Sequence, residues 1–195
     1  MKTSLRVMIA AIIAGFASSA AASTIVNGDF EHGQKGFTSE YAHVRFCGPF
    51  GVFMISRSPA KVCVGNWIDF GDHTTGTGQM MIVDGSPNDG KIVWSETVQV
   101  VPDANYAFSY WGTSVDPHLH GLRASLLQVF INEEPIGSPR KMKSYEGWHK
   151  KTVRWNSGAN TSATISLIDF TVQEGGNDFA LDDIRFEEKS AAAKR

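Results

Sequence analysis

The sequence predicts an all-β domain folded as an antiparallel sandwich or barrel. Short apolar or alternating runs recur along the chain, each bounded by Gly, Pro, Asn or Asp turn chemistry. No sustained apolar pattern at three- and four-residue spacing follows residue 22. Met80-Met81-Ile82-Val83 is a short apolar run between Gly78 and the turn Asp84-Gly85-Ser86-Pro87. Ile92 to Val101 alternates, with Trp94, Val98 and Val100 on one side and Ser95, Thr97 and Gln99 on the other. Pro102 to Asn105 reads as a turn, and Tyr106 to Trp111 as an aromatic strand. Ser125 to Ile131 alternates and turns at Asn132-Glu133-Glu134 toward Pro135-Ile136. Trp148 to Trp155, Ala163 to Phe170 and Phe179 to Phe186 complete the series. The spacing of these runs suits a two-layer β architecture.

The first 22 residues stand outside that pattern. Lys2 and Arg6 precede an apolar stretch from Val7 to Phe16, and small residues end at Ala20-Ala21-Ala22. Basic, apolar, then A-x-A is the layout of a secretory signal peptide. The stretch is shorter than the ~20 residues a membrane span needs. We expect cleavage after Ala22, a single domain over 23–188 and a polar tail over 189–195. No membrane span is expected in the mature chain.

Lys plus Arg number 18 and Asp plus Glu 20, giving a net charge of −2. A nearly balanced chain lacks the basic field that nucleic acid or an anionic membrane surface requires. The two cysteines, Cys47 and Cys63, are expected to form a disulfide in an oxidising compartment, two buried free thiols being the alternative. The loop they would close is short, so the entropic stabilisation is about 3 kcal/mol.

Three acidic clusters sit beside strands: Asn27-Gly28-Asp29-Phe30-Glu31, Asp72-His73-Thr74-Thr75-Gly76-Thr77-Gly78, and Leu181-Asp182-Asp183-Ile184. Acids inside an apolar strand are costly unless something compensates them. Asp182 lies in phase with Ala180, Ile184 and Phe186 and is expected to face inward. Carboxylates converging from distant segments repel unless a hard cation lies between them, and Ca²⁺ accepts such oxygen donors in irregular geometry. The alternative is that these acids cap turns without metal.

The motif Asn27-Gly28-Asp29-Phe30-Glu31 followed by Phe37 resembles the opening of galactose-binding-like carbohydrate-binding modules. Ala180-Leu181-Asp182-Asp183-Ile184 resembles their closing strand. Asp72-His73-Thr74 with Gly76, Gly78 and Met80, joined to the same two ends, is also similar to the MAM domain, although the MAM cysteine framework is absent. The mature chain is similar to exported bacterial proteins of the PEP-CTERM type, without their sorting tail. These resemblances imply a jelly-roll β-sandwich of the galactose-binding-like class with a structural calcium near the chain ends. They imply Glu31, Asp72 and Asp182 as side-chain ligands, with Asp29 and Asp183 as weaker candidates.

Aromatic residues form the second candidate surface. Trp94 and Trp155 are expected in the core. Trp111 is the better docking ring, because it ends an aromatic run before the loop Asp116-Pro117-His118-Leu119-His120. Trp67 and Trp148 also lie beside loops. The candidate ligand-binding set is thus Trp111, Asp116, His118, Trp148 and Trp67. No Gly-x-Ser-x-Gly elbow or His-Glu-x-x-His motif is present, and His118 with His120 forms a solvated loop more readily than a metal site. The leading expectation is a secreted or periplasmic, non-catalytic module for carbohydrate or extracellular matrix material. A matrix protein acting through protein contacts is the alternative, and a small polysaccharide-active enzyme the third reading. Intact mass spectrometry of the exported protein tests the processing: we expect a chain starting at Ser23, lighter by two hydrogens for the Cys47–Cys63 bond. Two alkylatable thiols in the native protein would remove the disulfide.

Overall fold

The computed structural model describes residues 24–88, 90–116, 124–142, 147–172 and 175–189. The expected leader, His118 with the rest of 117–123, and 190–195 of the tail lie outside the described residues. Ten strands and one short helix follow in order: β1 (Ala42–His43), β2 (Val52–Ser56), α1 (Pro59–Val62), β3 (Met80–Asp84), β4 (Lys91–Gln99), β5 (Asn105–Ser114), β6 (Leu126–Ile131), β7 (Glu134–Lys141), β8 (His149–Asn156), β9 (Ser162–Asp169) and β10 (Phe179–Lys189). No helix among the described residues is long and apolar enough to cross a membrane.

The strands form two sheets, β1-β2-β3-β10-β5-β8 and β4-β9-β6-β7. Every pairing between the named strands is antiparallel except β1 with β2. The N-terminal segment joins the layers at one side. Thr38 bridges Ser95 of β4, and the Ala42 N–H donates to the Gly51 carbonyl ahead of β2. β7 carries Pro135 and Pro139, which its edge position tolerates, since an edge strand has one row of N–H groups outside the ladder.

Two apolar clusters result. The larger fills the space between the sheets with Trp94, Phe108, Tyr110, Leu167 and Phe186. Trp155 is partly buried against it, its ring tilted against those of Tyr106 and Phe186 with centroids 6.1 Å apart, so Trp94 and Trp155 pack with the core as expected. The smaller cluster lies on the other face of the six-stranded sheet. There Met54, Met80, Ile82 and Ala180 meet Val62, Cys63 and Trp67. That face is covered by the chain after β2, where Ser58 caps α1 and Pro59 starts it. The Cys47–Cys63 disulfide, with Cα atoms 5.3 Å apart, ties this cover down. A strand covered on both faces needs no alternation, which is why β2 and β3 read as continuous apolar runs.

One expectation fails at β10. Leu181, Ile184 and Phe186 face the inter-sheet core, while Ala180 belongs to the outer cluster. Asp182 shares the outer phase of Ala180 and does not face inward with Ile184 and Phe186. The cause is a bulge: Asp182 pairs with Trp111, the register then shifts, and Arg185 pairs with Ser109. Asp183 takes the extra position with φ 48°, and everything after it changes face.

Candidate functional site

The N-terminal motif is shaped to meet that bulge. Asn27, at φ 57°, donates through Nδ2 to the carbonyls of Gly33 (2.8 Å) and Lys35 (2.9 Å) and accepts the His32 N–H through Oδ1 (2.8 Å). Its side chain therefore holds the following loop together. Gly28 accepts the Ile184 N–H at 2.8 Å, and a Cβ on Gly28 would collide with the Ile184 carbonyl oxygen. Phe30 is fully buried and packs edge-on against Phe37 at 5.6 Å. Glu31 is exposed, and its Oε1 accepts the Gln79 N–H at 2.6 Å.

The middle motif folds around Asp72. Its carboxylate accepts the N–H groups of Thr75 (2.7 Å) and Gly78 (2.6 Å) and the Thr75 hydroxyl (3.1 Å). Desolvation works to raise Asp72, but these donors win and hold it below the ordinary carboxylate range. A Cβ at Gly78 would strike Glu31 Oε1 and lie 3.1 Å from Asp72 Oδ2. The two carboxylates thus flank one glycine.

Asp182 is the buried member, 0% exposed. Its Oδ2 accepts the His73 N–H at 2.8 Å and the Thr74 N–H at 3.3 Å, and its Oδ1 accepts the Asp183 N–H at 2.8 Å. Burial pushes the Asp182 carboxyl up to about 7, and the charges of Asp183 and Asp72 add to the rise. Asp183 behaves oppositely. Burial opposes its ionisation, but His73 Nδ1 at 2.6 Å and Arg185 Nη2 at 3.0 Å outweigh that and lower it. One ligand atom from each of His73, Asp182 and Asp183 lies within 4.8 Å of the others, a grouping able to hold a metal ion.

Glu31 and Asp72 thus flank Gly78, and Asp182 feels the charge of Asp72, but the residues whose ligand atoms gather within 4.8 Å are His73, Asp182 and Asp183, a different set from the expected Glu31, Asp72 and Asp182. Glu31, Asp72 and Asp182 are all oxygen donors, and no Lys, Arg or His among the described residues forms an ion pair with any of them. Carboxylate oxygens are the donors a hard cation takes. Asp29 stands apart: it is exposed, and its Oδ1 lies 3.4 Å from the Glu31 N–H.

A ring cluster sits on the same turn. His73 stacks on Trp111 with centroids 3.8 Å apart and planes 18° from parallel, and meets Trp148 edge-on at 6.1 Å. Trp148 also contacts Phe70 at 5.7 Å and donates from Nε1 to the Gly71 carbonyl at 3.2 Å. Lys150 Nζ lies 5.9 Å from the Trp111 ring centroid. Trp111 and Trp148 are half-buried. β5 continues past Trp111 to Ser114, so this ring lies within the strand and does not end it. Trp67 differs from expectation: it is only 7% exposed and donates from Nε1 to Asp178 at 3.1 Å, which makes it a core ring. Asp116 is half-buried, and its N–H donates to Ser114 Oγ at 3.2 Å. His73 carries the ring cluster, and nothing in sequence spacing marked it apart from the acids beside it.

This architecture is a jelly-roll β-sandwich. Among solved structures, the chain is similar to the CBM22-1 xylan-binding domain from Paenibacillus barcinonensis Xyn10C, at 13% identity and a TM-score of 0.54, covering 90% of this chain and 100% of that one. It is also similar to a Stig cyclase, Fisc, from Fischerella sp. TAU, at 10% identity and a TM-score of 0.61, covering 89% of this chain and 100% of that one. No family model matches the chain, and no curated protein matches it. At these identities the likeness is one of fold.

The packing at Gly78 gives a direct test of the junction. Gly78→Ala is expected to push Glu31 off the Gln79 N–H and to cost about 1–3 kcal/mol, the usual range for overpacking. Urea unfolding would report it, and a loss under 0.5 kcal/mol would show that the loop yields freely.

Proposed function

We propose that this chain is an exported, non-catalytic carbohydrate-binding module whose ends are joined by a structural calcium. The carrying observation is the placement of half-buried Trp111 and Trp148 with His73 and Lys150 on the outer face of the six-stranded sheet. Rings that keep part of their surface in water, beside an ammonium and an imidazole, suit a sugar: ring C–H groups pack on the aromatic and polar groups bond the hydroxyls. The xylan-binding domain with the same fold supports this reading. The disulfide supports export, since such bonds persist in oxidising compartments.

Glu31, Asp72 and Asp182 would hold the calcium. It would neutralise the buried Asp182 and fix the 72–78 turn under the rings. His73 links the two parts, because its N–H binds Asp182 while its ring stacks on Trp111.

Two outcomes follow. A chelator should lower the melting temperature, since an ion bound only to the native state stabilises it by about 2.7 kcal/mol at 100-fold its Kd. Asp182→Ala should remove a large part of that calcium response, and Asp103→Ala, in a turn away from the acids, should leave it intact. An unchanged response in Asp182→Ala counts against the site. For the sugar, soluble polysaccharide should quench tryptophan fluorescence, and Trp111→Ala should remove most of the quenching. Absence of quenching across plant, algal and bacterial glycans would favour matrix adhesion through protein contacts.

A further inference from the structure

A second group of acids lies at the other end of β3, about 14 Å from Met80 at roughly 3.4 Å per residue. Asp84 closes β3, Asp169 closes β9, and Asp178 immediately precedes β10. They are 7%, 1% and 8% exposed. No Lys, Arg or His among the described residues stands within ion-pair distance of any of them. Burial pushes Asp84 up to about 7, with repulsion from Asp178 adding to it. Asp169 is pushed up to about 6, also by burial.

Neutral donors satisfy part of this group. Asp169 accepts the Thr171 N–H at 2.9 Å and the Ser125 hydroxyl at 3.2 Å. Asp178 accepts the Gly85 N–H at 2.9 Å and the Trp67 indole N–H at 3.1 Å. For Asp84 the stabilising donor is the backbone of Gly48.

Two further oxygens at the same place are short of hydrogen bonds. Asn177 Oδ1 is buried without a hydrogen bond in a residue 0% exposed, and the Tyr41 hydroxyl, in a residue 4% exposed, has the Ser86 backbone beside it and no side-chain partner among the described residues. The Tyr41 hydroxyl feels the charges of Asp169, Asp178 and Asp84, after the larger effect of burial, so it lies within electrostatic reach of all three carboxylates. Asn177 is fixed beside them: its Nδ2 donates to the Ser86 carbonyl at 3.3 Å, and a Cβ on the neighbouring Gly85 would collide with its amide.

Each buried carboxylate without counter-charge is destabilising by several kcal/mol, and an orphaned oxygen adds about 1–3 kcal/mol. Apolar substitution would relieve both costs. What the group lacks is positive charge and an acceptor for lone pairs, and it offers oxygen alone. That is the donor chemistry of a hard cation.

We propose that Asp84, Asp178, Asn177 and Tyr41 form a second cation site, for a divalent ion of the calcium class, with Asp169 as an outer charge. Asp84 and Asp178 supply carboxylate oxygens, and Asn177 and Tyr41 supply neutral ones. Tyr41 lies on the segment that bridges the two sheets, between the Glu40 N–H bonded to Ile92 of β4 and the Ala42 N–H bonded to Gly51. An ion here would clamp the layers together. The site is independent of the one assigned to Glu31, Asp72 and Asp182.

The test is calcium stoichiometry of the mature chain by native mass spectrometry and calorimetric titration. Wild type should bind two ions, and Asp84→Asn and Asp182→Asn one each. In chelator, Asp84→Asn should melt higher than wild type, because a repelling charge is gone; in calcium it should lose part of the calcium-dependent rise. Wild-type stoichiometry and an unchanged rise in Asp84→Asn would overturn the proposal. If Asp182→Asn alone abolishes binding, the chain-end site stands and this one falls; if Asp84→Asn alone abolishes it, the reverse holds. Should Asp84→Asn fail to fold, Tyr41→Phe keeps the buried ring and is expected to weaken one calcium step about tenfold, the equivalent of about 1.4 kcal/mol. An unchanged isotherm would overturn the site.

Discussion

The bulge at Asp183 is the constraint on which the rest of the molecule depends. A strand of strict alternation would put Asp182, Ile184 and Phe186 on one face, burying a carboxylate in the inter-sheet core or exposing two large apolar side chains. One extra residue removes the conflict. Asp182 keeps the outer phase, Ile184 and Phe186 enter the core, and Asp183 is turned toward His73 and Arg185. The left-handed backbone at Asp183 is itself destabilising, by about 1–3 kcal/mol for a non-glycine residue. The structure holds it from both sides: Gly28 accepts the Ile184 N–H, and its missing side chain lets the N-terminal loop lie against the bulge. The opening and closing motifs are halves of one junction.

The junction also explains why the six-stranded sheet is covered on both faces. Asp182 points away from the inter-sheet core, so donors must be brought over the outer face to meet it. The chain after β2 does this. It packs Val62, Cys63 and Trp67 on Met54, Met80 and Ile82, and then delivers the Asp72–Gly78 turn onto Asp182. The stack of His73 on Trp111 follows from that delivery, since the residue whose N–H reaches Asp182 carries its ring onto the neighbouring strand. Ring placement and acid placement are therefore coupled through a single residue, and a change in the charge of Asp182 has a short route to the aromatic surface.

Much of this was legible in the residues. Alternation and turn chemistry marked β3 to β6 and β8 to β10, and the three acidic motifs were identifiable because acids within or beside apolar strands need a compensating partner. The rest was hidden for physical reasons. β2 was missed because Val52 to Ile55, as continuously apolar as β3, sits among Gly48, Pro49, Gly51 and Pro59 in a stretch without periodicity. Asp182 was given the wrong face because a bulge inserts one residue without any sequence signal at Asp183. Trp67 was taken for a docking ring on its loop position, whereas burial is decided by the cover packed over it and by the indole bond to Asp178. The Asp84–Asp169–Asp178 group escaped notice because its members are strand-end residues far apart in the chain, each of which reads singly as a turn residue.

Strand ends are also where polar groups can be kept inside a sandwich at least cost, because the backbone there has unpaired N–H groups to offer. Asp169 takes those of Leu126 and Thr171, Asp178 that of Gly85, and Asp72 those of Thr75 and Gly78. Such donors stabilise an ionised carboxylate without cancelling its charge. Two acid groups at either end of β3 therefore leave the folded chain with local negative charge that the nearly neutral overall composition conceals. Net stabilities of domains are about 5–15 kcal/mol, and a native-state ion at 100-fold its Kd contributes about 2.7 kcal/mol. Two independent ions would supply a sizeable share of that margin, and the stability of this fold would follow the cation content of its surroundings as closely as it follows the packing of its core.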